Sequence, residues 1–90
     1  MVTVKLPSAF KGLSDAPLMS TPCPENVRML LDNLRISHPA LMNQILEPDG
    51  TPIIELLIAI NGISVDSLRG LETPLQDEDQ IEMHLLLAGG

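Results

Sequence analysis

Few residues in this sequence could do chemistry, and the group with the strongest claim is the carboxylate of Gly90, at the end of Ala88-Gly89-Gly90. Glycine makes up roughly 7% of average proteins, so two terminal glycines arise by chance in roughly one chain in 200. Without Cβ atoms, Gly89 and Gly90 can thread a cleft too narrow for side chains. Extended at about 3.3 Å per residue, Leu87 to Gly90 would reach roughly 13 Å beyond the body. The alternative is an ordinary frayed end, the common fate of last residues. A terminal carboxylate is a poor electrophile, so any acyl chemistry there needs an enzyme to supply a leaving group.

The other reactive side chains make weaker cases. His38 precedes Pro39 at a helix start, where histidine usually caps or faces water. His84 faces outward on the last strand and suits partner contact better than proton transfer. Cys23 lies between Pro22 and Pro24 with no base near it in sequence to lower its pKa, so it reads as an ordinary thiol. Asp77, Glu78 and Asp79 form a solvated turn. No Cys/His spacing supports zinc, and no glycine-rich loop follows a strand to cradle phosphate. No metal and no bound cofactor is expected.

The elements that must position the tail follow from periodicity. Val2, Val4 and Leu6 alternate with Thr3 and Lys5, a half-buried strand stopped by Pro7. Ser8 to Asp15 reads as a loop, and Ala16 to Pro22 as a short strand confined to a sheet edge by its prolines. Val27, Leu30, Leu31 and Leu34 make one helical stripe, with Asn26 as N-cap and an end near Ser37-His38 ahead of Pro39. Pro39 can open a second short helix with Leu41, Met42, Ile45 and Leu46 inward. Glu47 to Thr51 has turn chemistry. Leu56 to Ile60 is a strand running through the hairpin signal Asn61-Gly62 into Ile63, Ser64 and Val65. Ser67 to Leu75 is a turn-rich crossing. The last strand sets Ile81, Met83, Leu85 and Leu87 on one face and Glu82, His84 and Leu86 on the other. This order predicts an α+β roll, four to five strands under one main helix, with the first and last strands paired in parallel at the centre.

Composition sets the limits. Ninety residues make a single domain, 1–90, with a tail at 87–90 expected to be flexible. Its core must be aliphatic, since Phe10 is the only aromatic residue. One cysteine excludes an internal disulfide and suits the cytoplasm. The alternating N-terminus is unlike a signal peptide, and no apolar run is long enough to span a membrane. With twelve acids, five bases and a net charge of −7, nucleic-acid binding is disfavoured.

Ile58-Ala59-Ile60-Asn61-Gly62, Gly70-Leu71-Glu72-Thr73-Pro74-Leu75, Asp77-Glu78-Asp79-Gln80-Ile81 and the terminal Ala88-Gly89-Gly90 together resemble the MoaD/ThiS family of ubiquitin-like sulfur carriers. The opening strand, the Asn26-Val27 helix start and His38-Pro39-Ala40-Leu41 fall in the family's order. The length and the Gly70 to Thr73 segment fit the larger carriers, of the molybdopterin-synthase or cysteine-forming type. Two departures stand out. The family usually has Asp-Gly-Asp where this chain has Asp77-Glu78-Asp79, a change that a type I turn would accommodate. It also often has prolines where this chain has Leu85 and Leu86, which bears on the stiffness of the tail.

The resemblance implies a β-grasp fold and a protein that catalyses nothing itself. An adenylating enzyme of the ubiquitin-activating type would use ATP to activate Gly90, and a persulfide or sulfide donor would leave a thiocarboxylate. Leu87, Ala88 and Gly89 would thread the partner's active site, and the sulfur would pass to an accepting enzyme. Docking would use the outer face of the last strand, His84 and Leu86, with Ala59 beside it. Two other roles share the tail: a ubiquitin-like modifier joined through Gly90 to lysines, and a non-catalytic small subunit of molybdopterin synthase. A binding module with an incidental diglycine remains a third.

Overall fold

Alternating Val2 and Val4 build strand β1 (Val2–Lys5), with both valines fully buried. The computed structural model describes residues 1–6 and 18–85. The expected loop from Ser8 to Asp15 lies outside the described residues. Chain order continues as β2 (Leu18–Thr21), α1 (Val27–Ser37), α2 (Pro39–Ile45), β3 (Leu56–Ile60), β4 (Ile63–Ser64) and β5 (Gln80–Leu85), with 3-10 turns at Val65–Ser67 and Gly70–Glu72. Val65 therefore leaves the strand expected to include it, and its side chain is buried.

The sheet order is β2-β1-β5-β3-β4. β1 and β5 run parallel with Val4 opposite Ile81, while β3 and β5 run antiparallel from Leu56 opposite Leu85 to Ile60 opposite Ile81. The central pair is the one that the alternation indicated. β2 lies at the edge, as its flanking prolines require.

Helix α1 buries Val27, Leu30, Leu31 and Leu34 against the sheet, each burial stabilising by about 1.5–3 kcal/mol relative to exposure. Its N-cap is Asn26, whose Oδ1 accepts from the Met29 amide at 2.9 Å. At the other end the His38 amide donates to the Leu34 carbonyl at 2.7 Å, and Pro39 starts α2. Leu41, Met42, Ile45 and Leu46 all enter the core.

The hairpin tip takes the left-handed backbone that Asn-Gly favours, φ 52° at Asn61 and 86° at Gly62. The turn at residues 76–79 differs from expectation. Glu78 has φ 74°, whereas the third residue of a type I turn would sit near −90°. A β-carbon is strained there, so the glycine usual in the family is the residue that this backbone fits.

Candidate functional site: the root of the tail

Strand β5 carries the tail out of the centre of the sheet, between a parallel ladder to β1 and an antiparallel ladder to β3. β1 pairs with Gln80 to Glu82 only, so the last described residues of β5, Met83 to Leu85, are held by β3 alone. Leu86, Leu87, Ala88, Gly89 and Gly90 lie outside the described residues.

Two interactions fix where β5 begins. Asn61 accepts from the Gln80 amide through Oδ1 at 3.0 Å and donates through Nδ2 to Asp79 at 2.9 Å. Asp79 in turn accepts from the Gln76 amide at 2.8 Å. The hairpin tip is thereby bolted to the start of the tail-bearing strand. Sequence reading placed both turns but not this link, because an 18-residue separation leaves no local signal.

The outer face of β5 presents Glu82 and His84, with His84 Nε2 at 3.0 Å from a Glu82 carboxylate oxygen. Lys5 of β1 lies opposite Glu82 on one side, and Ala59 of β3 on the other. His84 is half-buried on this face, as its position in the alternation indicates. Ala59 is on the same face, but it is only 8% exposed. It can offer a partner little area. Leu57, half-exposed and directly opposite His84, is the apolar residue that the sequence reading missed. Counting strand register from the Asn61-Gly62 turn would have found it.

The remaining candidates have structural roles. Cys23 is exposed, and its thiol donates to the Pro24 carbonyl at 3.3 Å. His38 caps α1 and starts α2. Asp77 pairs with the N-terminal ammonium group. Hydrogen bonds from the Thr51 hydroxyl, and secondarily from its amide, hold the Asp49 carboxyl below its ordinary range, which belongs to the 47–51 turn. Among the described residues no group of three His, Cys, Asp or Glu could hold a metal, and no helix is long and apolar enough to cross a membrane.

A five-stranded mixed sheet with two helices and β5 at its centre is the β-grasp fold of ubiquitin-like proteins. The comparisons agree. The ThiS family model matches residues 13–90, and the chain belongs to that family of ubiquitin-like sulfur carriers. Members are small carrier proteins and not catalysts. Small archaeal modifier protein 1 from Methanosarcina acetivorans is 31% identical, with coverage of 99% of this chain and 95% of that one and a TM-score of 0.83. A chain from the crystal structure of the Amycolatopsis orientalis BexX/CysO complex is 19% identical over 100% of both chains, TM-score 0.85. Mycobacterium tuberculosis CysO is 18% identical, covering 97% of this chain and 100% of that one, TM-score 0.82. These last two likenesses bear on the fold. No curated protein sequence matches the chain.

Proposed function

We propose that this protein carries sulfur as a thiocarboxylate on Gly90, exposed either as synthesised or after removal of following residues. An adenylating enzyme of the ubiquitin-activating type joins the Gly90 carboxylate to the α-phosphorus of ATP, releasing pyrophosphate and leaving an acyl-adenylate. Sulfide, or the sulfur of a persulfide, then attacks the acyl carbon, and AMP departs with the C–O bond electrons. A persulfide donor forms an acyl disulfide, which a second thiol must reduce to free the thiocarboxylate. Leu87 to Gly89 thread the partner's cleft while His84, Leu86 and Leu57 meet its surface. The recipient is the biosynthesis of a sulfur-containing metabolite such as molybdopterin or cysteine. The body holds and docks the tail and supplies no catalytic group.

The observation that carries this reading is family membership running through residue 90, on a fold whose central strand ends at the root of that tail. The test is the intact mass of the protein isolated from its native cells. Replacement of one oxygen by sulfur, lost when Gly90 is deleted, is the expected result. An unmodified carboxylate under every growth condition would sink the proposal. The 31% identity to an archaeal protein named as a modifier supports a second reading, an isopeptide bond from Gly90 to lysines. A ladder of conjugates on immunoblots of cell extract would favour it over sulfur transfer.

A further inference from the structure

We infer that the outward edge of β3, with the groove beside it, receives an extended segment of a partner protein that sets an aliphatic side chain near a lysine or arginine. The inference does not depend on the chemistry of Gly90. β3 lies between β5 and β4, and its whole length pairs with β5. On the other side, β4 has two residues and pairs only with Ala59 and Ile60. Val65 then leaves the ladder for a 3-10 turn. At Leu56, Leu57 and Ile58, no strand among the described residues lines that edge. Proteins commonly blunt sheet edges with prolines, charges or cover. The opposite edge, β2, has Pro17 and Pro22 on either side, whereas Leu56 to Ile60 carries neither proline nor charge.

Beside this stretch opens a groove of about 260 Å³, lined by Ile53, Ile54, Leu56, Ile58 and Leu71, with Asp66 as its charged residue. Small-molecule sites span roughly 300–1,000 Å³, so the groove is small for a cofactor. A cavity of roughly 150 Å³ already holds benzene, so one aliphatic side chain fits with room to spare. Ile54, at 94% exposure, leaves the groove open to solvent and to a chain passing along it. A single exposed isoleucine means little alone. Here it borders an apolar groove and an uncovered strand edge.

Charge selects the rest of the occupant. Asp66 is exposed and makes no ion pair among the described residues, and Glu55, also exposed, directly precedes β3. No lysine or arginine lines the groove; Arg69, from the same crossing, lines a separate one with Ile63 and Leu68. With a net charge of −7 the chain repels a second copy and attracts a basic segment. In an extended segment, side chains two residues apart share a face at roughly 7 Å. A basic residue two places from the aliphatic anchor therefore reaches toward Asp66. Main-chain pairing with the β3 edge would supply affinity, and the anchor and its charged neighbour selectivity.

NMR of the 90-residue protein tests this, with the capped peptide acetyl-Lys-Val-Leu-Val-Lys-amide as probe. The expected result at millimolar peptide is shifts of the Ile53, Ile54 and Leu71 methyls and of the Leu57 and Ile58 amides, with the remote Leu18 and Ile36 methyls unmoved. Replacing both lysines of the peptide by glutamate should weaken binding roughly ten-fold, because like charges then face each other. Asp66→Asn should weaken the lysine peptide roughly three-fold, the size of an exposed ion pair, and narrow the gap between the two peptides. Ile54→Ser should weaken both peptides, at an exposed position where the fold is not at risk. Equal affinity for the two peptides, shifts that fall on the outer face instead, or no shift at the groove would overturn the inference. So would Ile54 and Leu71 methyls that move with protein concentration alone, which assign the groove to a second copy. Methyls that move only when residues 86–90 are removed would assign it to the chain's own end and overturn it equally. Deleting Gly90 should leave peptide binding unchanged, so the intact-mass test of the carrier and this one fail independently.

Discussion

Glu78 shows how one residue can sit against its backbone while the fold tolerates it. Its φ of 74° costs a residue bearing a β-carbon roughly 1–2 kcal/mol, while a glycine there loses roughly 0.5–1 kcal/mol to the freedom of the unfolded chain. Its amide still donates to the Met1 carbonyl at 2.8 Å, so the turn stays closed. Glu78→Gly should therefore stabilise by roughly 0.5–1 kcal/mol, seen as a melting temperature higher by roughly 2–8 °C. Glu78→Ala keeps the strain and should melt close to the parent; equal gains from both variants would remove the backbone argument. The sequence pointed to this position through the family's glycine, yet the turn type could not be read from Asp77-Glu78-Asp79 alone. Ala59 is a similar case. Its face was legible from alternation, but its burial was not, because its strand partners, Glu82 and Ser64, are distant or across a turn in sequence.

At the scale of elements the sequence was most readable where one period dominates. The α1 stripe, its Asn26 cap and the break at Pro39 all follow from spacings within a few residues, and each stands in the structure. The parallel partnership of β1 and β5 was legible because both strands alternate cleanly. Contacts between distant segments were not. The Val27 amide donates to the Thr73 carbonyl at 3.1 Å, and the Leu75 amide to the Glu25 carbonyl at 3.1 Å, tying the entry of α1 to the crossing before β5. Arg28 adds an ion pair with Glu72 at 3.1 Å, exposed enough to contribute only about 0–1 kcal/mol. The cap matters more. Asn26→Ala leaves the Met29 amide without its acceptor and should cost about 1 kcal/mol, whereas Asn26→Ser should recover most of it. Chemical denaturation checks this, with an unchanged slope expected because the same surface unfolds. Alanine and serine variants of equal stability would argue that the cap contributes nothing.

For the whole molecule, β5 is where the core and the proposed docking surface share one strand, each on its own face. Met83 points inward, is fully buried and joins a core in which the described side chains are aliphatic. A domain of this length has roughly 5–13 kcal/mol of stability in total. Met83→Ala should remove about 2–5 kcal/mol, since the site is closed on all sides and collapses poorly around the lost atoms. His84 is the next residue and faces outward, paired among the described residues with Glu82. His84→Ala should change stability by no more than about 0.5 kcal/mol. If the outer face docks the partner, His84→Ala should weaken binding to the activating enzyme while melting like the parent. Met83→Ala should melt far lower, yet below its transition it should bind with near-parent affinity. Thermal melting and a binding titration with the purified enzyme distinguish the two. Parent-like binding by His84→Ala, at a temperature where it is folded, would remove His84 from the docking surface, whereas an equal loss in both variants would trace the effect to the shared strand and not to its outer face.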